Sequence, residues 1–154
     1  MKIRKYDLEI YPLSIIRQGA KDYSHIAKRK VENTMFYKEL TVWQKSMELV
    51  KETYLLVKKL PKEETYALSD QMRRAAISIP SNIAEGNGRK SLTDYARFLD
   101  IARGSEYELE TQFEICIMLG YLTETDCKKV FELINETGKM LHTLITKLKA
   151  QSKN

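Results

Sequence analysis

The stretch TVWQKSMELVKETYLLVKKLP, residues 41–61, decides the fold. Val42, Trp43, Met47, Val50, Tyr54, Val57 and Leu60 recur at three- and four-residue spacing, so at about 100° per residue they share one side of a helix. Leu49 and Leu56 sit at the edge of that face and Leu55 projects away from it. This is more apolar girth than one core contact requires, so a subunit interface is expected alongside the core. Pro61 stops the element, because its ring removes a donor and clashes with the preceding turn.

Working outward, the same period returns three times. Over residues 64–85, Leu68, Met72, Ala75, Ala76, Ile79 and Ile83 share a face, with Gly86 suited to a left-handed cap. Pro80, inside this helix, removes the amide that would bond to residue 76, so a local kink is expected. Ser91, with Asp94 three residues on, then opens a third helix carrying Tyr95, Phe98, Leu99, Ala102, Leu109, Phe113, Cys116 and Ile117, and Gly120 ends it. Thr123 with Asp126 repeats the capping signal, and Val130, Ile134, Thr137, Leu141, Leu144 and Leu148 form a near-heptad seam. Long helices joined by short loops predict an all-α fold, an antiparallel up-down-up-down four-helix bundle spanning residues 35–154.

Residues 1–34 mix Tyr, Pro, Gly and scattered charge without a sustained period and end just before a second methionine, Met35. They read as an extension, either a basic arm or a stretch upstream of the natural start. They hold eight Lys or Arg against four acids, whereas the remaining residues hold 18 against 17, so the net charge of +5 says little about the bundle. No apolar run approaches the roughly 20 residues of a membrane span, and no secretory apolar region forms after Lys2, Arg4 and Lys5. A cytoplasmic location with no membrane partner is expected. Cys116 and Cys127 fall at core-facing positions and are expected as free buried thiols.

Catalytic chemistry finds no purchase in the pattern. A bundle di-metal site needs Glu-x-x-His pairs, yet Lys139 stands where His142 would need its glutamate, and neither cysteine has an identifiable base beside it. No enzyme activity, metal or cofactor is expected. His142 reads as a solvated surface residue, and the methionines read as core filler. The most unusual feature is a polar stripe on the second helix, where Gln71, Arg74, Ser78, Asn82 and Glu85 fall beside the apolar face. A hairpin about Gly88 brings Ser105 and Glu108 of the third helix opposite this stripe, with an Arg74–Glu108 ion pair within stretching distance. The stripe reads first as a hydrogen-bond network that fixes register, with a ligand or partner site as the alternative. Gly88-Arg89-Lys90-Ser91 offers cations at a helix N-terminus, but Ile83 stands where a phosphate-binding loop needs glycine. An exposed connector is the first reading there and an accessory phosphate contact the second.

Three blocks go further. The run Phe36 to Lys45, the run Gln71 to Gly86 containing Arg74, Ser78, Asn82 and Glu85, and the run Phe98 to Gln112 followed by Leu119-Gly120-Tyr121-Leu122 closely resemble the 23S rRNA intervening-sequence protein family. Together they cover essentially residues 36–149. The resemblance implies a four-helix bundle that assembles as a homopentamer, in a family first noticed within insertions in bacterial 23S rRNA genes and without a defined molecular role. The family is also similar to the accessory protein of diversity-generating retroelements, a basic pentamer that associates with a reverse transcriptase and nucleic acid. Arg74, Ser78, Asn82, Glu85, Gly86, Ser105 and Glu108 match positions typical of the family pattern. The resulting expectation is a non-enzymatic oligomer that binds RNA or DNA, with Arg73, Arg89, Lys90, Arg97 and Arg103 as its basic candidates. Two alternatives stand beside it: an assembly scaffold that docks another protein through apolar surface such as Leu55, and a small-ligand pocket at the polar stripe.

Overall fold

A computed structural model of the chain describes residues 37–152; the extension, His25 and Met35 lie outside the described residues. Those residues form four α-helices and no strand: α1 (Thr41–Leu56), α2 (Leu68–Asn87), α3 (Leu92–Met118) and α4 (Glu124–Gln151). Short 3-10 turns at Tyr37–Glu39, Val57–Lys59 and Lys62–Glu64 precede α1 and lead from α1 to α2. The expected first helix therefore tightens after Leu56 instead of running to Leu60, and the second begins at Leu68, not Glu64.

Both capping expectations hold. Ser91 Oγ accepts the Asp94 amide at 3.0 Å, and Thr123 and Asp126 form a reciprocal capping box at the start of α4. At the end of α3, Gly120 adopts φ 72°, and the Tyr121 amide donates to the Cys116 carbonyl at 2.9 Å. That is the left-handed termination expected of a glycine just past a helix. Gly86 is different. It lies inside α2 with no left-handed backbone, and a Cβ built there would sit 2.8 Å from Phe98 Cβ and 2.8 Å from Tyr95 Cδ2. Its role is close helix approach. Pro80 leaves α2 continuous through to Asn87.

Cross-helix contacts run in opposite order within the α2–α3 and α3–α4 pairs. Between α2 and α3, Met72 meets Cys116, Ser78 meets Ser105 and Gly86 meets Phe98. Between α3 and α4, Asp100 meets Lys149, Glu106 meets Thr137 and the Phe113 and Phe131 rings pack edge to face at 6.3 Å. Lys45 Nζ lies 2.9 Å from Glu136 and Lys59 Nζ 2.6 Å from Asp126, tying α1 and the turn after it to α4. Arg73 of α2 lies 5.9 Å over the Tyr54 ring of α1.

The core of α2, α3 and α4 follows the expected seams, with Met72, Ile79, Leu99, Leu109, Phe113, Val130 and Leu141 fully buried. Helix α1 departs from its expected face by about one residue. Its buried stripe is Val42, Ser46, Leu49, Thr53 and Leu56, while Met47 and Tyr54 are exposed and Trp43 and Val50 half-buried. The small hydroxyl residues enter the core because Ser46 Oγ donates to the Trp43 carbonyl at 2.7 Å and Thr53 Oγ1 to the Leu49 carbonyl at 2.8 Å. Satisfied within their own helix, they pack as small apolar groups. Leu55 points outward as expected.

Candidate nucleic-acid interface

The Ser78–Ser105, Asp100–Lys149 and Lys45–Glu136 contacts group residues 37–48, 78–104 and 138–152 into one half of the described residues. That half carries Lys38, Lys45, Arg89, Lys90, Arg97, Arg103, Lys139, Lys147 and Lys149 against Glu39, Glu48, Glu85, Asp94 and Asp100, a net of +4. The other described residues carry eight cations and twelve carboxylates, a net of −4. The near-neutral bundle is thus a charge dipole, a property invisible to a summed count.

Several of these charges are already engaged. Arg89 pairs with Glu85 one turn back on α2 and stacks 4.5 Å over the Phe98 ring. Arg103 pairs with Asp100 at 3.2 Å, and Lys149 pairs with the same carboxylate at 2.7 Å. Lys45 bridges Glu136 and Glu48. Lys90, Arg97, Lys139 and Lys147 are exposed. None of these four has an ion-pair partner among the described residues. Of the five basic residues marked from sequence, Arg89, Lys90, Arg97 and Arg103 share this half, and Arg73 lies in the other. Lys139 and Lys147 were missed; lacking nearby acids in the second half of α4, they could have been found once helix direction was known.

The polar stripe resolves into a smaller network. Asn82 Nδ2 donates to the Ser78 carbonyl at 2.8 Å and to Ser78 Oγ at 3.0 Å, and Ser78 Oγ lies 2.8 Å from Ser105 Oγ across the α2–α3 contact. These three half-buried residues fix the register of the hairpin. The Arg74–Glu108 pair does not form. Arg74 pairs with Asp70 on its own helix, and Glu108 accepts from Gln112 Nε2 at 3.1 Å. A partner one turn away is reached without stretching across a helix interface. Gln71, Arg74, Glu85 and Glu108 are exposed.

The residue that sequence reading overlooked is Glu106, 1% exposed on the core side of α3. Its Oε1 accepts the Thr137 hydroxyl. Burial pushes its carboxyl up to about 7; the Thr137 bond opposes the rise, the Glu110 carboxylate adds to it and Arg103 subtracts. Its place in the series Ala102, Glu106, Leu109, Phe113 was the signal. Cys116 and Cys127 are free and buried, and burial pushes both thiols up to about 11, which keeps them protonated and poorly nucleophilic. Among the described residues no group of three or more His, Cys, Asp or Glu could hold a metal ion. No described helix is long and apolar enough to cross a membrane.

The fold defines a class, the all-α proteins built from four packed helices. The particular family follows from sequence: the 23S rRNA-intervening sequence protein profile matches residues 38–143, and the chain belongs to that family. Among solved structures, the chain is similar to a protein of unknown function from the S23 ribosomal protein family of Bacteroides thetaiotaomicron VPI-5482. The two share 29% identity with a TM-score of 0.64, over 68% of this chain and 98% of that one. No curated protein matches the chain.

Proposed function

We propose that this chain is a non-enzymatic accessory protein that binds the phosphate backbone of RNA or DNA with the basic half of an up-down-up-down bundle. The observation that carries this reading is the separation of charge into halves of net +4 and −4, with Lys90, Arg97, Lys139 and Lys147 free to meet phosphates. Phosphate contacts of this kind position a nucleic acid without reading its sequence. Self-assembly through α1 and α2 accompanies it. There, Trp43, Met47, Val50, Ile77 and Pro80 line an apolar groove of about 290 Å³, of which Met47 and Ile77 are exposed. A second copy of the chain covers this strip in our reading, and the family resemblance makes the assembly a pentamer. The same strip favours a second reading, in which it docks a protein partner and nucleic acid plays no part.

Salt separates the two. With four cations of each chain neutralising phosphates and releasing their condensed counterions, affinity of the full chain for a structured RNA falls roughly a hundredfold between about 50 and 200 mM salt. Light scattering in the same buffer gives five times the 18.0 kDa chain mass. Salt-independent binding, or none at low salt, would remove the nucleic-acid reading and leave the scaffold.

A further inference from the structure

Between α3 and α4 lies a cleft of about 510 Å³ that the basic surface does not account for. Glu106 and Gly138 are among the residues that line it. A Cβ at Gly138 would lie 2.9 Å from Glu106 Oε2, so only a glycine there leaves room beside that oxygen. Glu106 Oε1 is taken by Thr137, whereas Oε2 has no hydrogen-bond partner among the described residues. A carboxylate this deeply buried is costly unless something pairs with it.

The cleft is also polarised along its length. Arg103, Lys139 and His142 line the end toward the basic half, and Glu110 and Asn135 line the other, with Glu106 between them. From Arg103 to Glu110 is seven helical residues, about 10 Å. We propose that this cleft binds a small zwitterion, with its ammonium at Glu106 and Glu110 and its carboxylate or phosphate at Lys139 and Arg103. An ammonium offers three donors, and Glu106 Oε2, the Glu110 carboxylate and the Asn135 amide oxygen are acceptors on that side. The exposed Tyr107 ring on the same wall adds a face for the cation. Arg103 keeps donors to spare beyond its bond to Asp100.

The probe is ε-aminocaproate, whose charges are spaced for the cleft, titrated calorimetrically into the full chain near pH 8 beside hexylamine and hexanoate. It binds at least roughly tenfold more tightly than either singly charged analogue, since each loses one charge-assisted contact. Glu106→Gln weakens it roughly tenfold or more with the helical content unchanged. Gly138→Ala, which covers Oε2 but keeps the carboxyl, weakens it as well. Absence of binding at tens of millimolar probe, equal affinity for hexylamine, or undiminished affinity in both variants overturns the proposal.

Discussion

Between pH 5 and 8 the folded protein loses on the order of 3 kcal/mol of stability through Glu106 alone. The carboxyl titrates at about 7 when folded, against an ordinary value of 4.5 when the chain is unfolded. Between those values the folded state holds a proton that the unfolded state has released, so stability falls by about 1.4 kcal/mol per pH unit and levels off above 7. Below 4.5 both states are protonated and the contribution is constant. The physical cause is the burial of a carboxylate with a single hydroxyl partner, Thr137, beside the like charge of Glu110. Glu106→Gln keeps the shape and can still bond Thr137, but stays neutral. Urea denaturation across this pH range shows the slope in the native chain and its absence in the variant, which is the more stable of the two near pH 8. A native chain whose stability is flat across the window contradicts the burial of Glu106.

Gly86→Val destabilises the bundle by about 3 kcal/mol, near the upper range for overpacking a fitted contact. The new side chain meets Phe98 at its Cβ, an atom that cannot swing away, as well as the Tyr95 ring. Relief requires α2 and α3 to separate, which also strains the Ser78–Ser105 bond farther along the same contact. Gly104 is the control. It is helical and exposed, and a Cβ there would meet nothing within 4 Å. Gly104→Ala therefore stabilises by roughly 0.5–1 kcal/mol through helix propensity. Two helical glycines giving opposite signs in chemical denaturation separates close packing from backbone entropy.

Helix number, both capping signals and most core positions of α2, α3 and α4 were legible because apolar period and cap chemistry act locally. Helix α1 was misread for a physical reason. Its bulkiest residues are half-buried (Trp43) or exposed (Met47 and Tyr54), while the true core stripe passes through Ser46 and Thr53, whose hydroxyls bond their own backbone. Hydrophobicity cannot register that self-satisfaction. Gly86 was assigned to a cap because its closest neighbours, Tyr95 and Phe98, arrive only when the hairpin closes. The Arg74–Glu108 pair failed because Asp70 was nearer. The charge dipole was hidden in a sum near zero, since successive helices carry like charges to one end only when their directions alternate.

The central claim is that the basic half meets phosphates, and charge reversal on chosen ends tests it most directly. In one variant Lys90, Arg97 and Lys147 become glutamate; in the other Lys58, Lys62 and Lys128, exposed cations of the opposite half, do the same. Net charge changes equally, so only position differs. At low salt the first variant loses roughly a hundredfold or more in affinity for structured RNA, while the second stays within a few-fold of the native chain. Equal losses in the two variants, or none in either, would contradict a binding surface on the basic half.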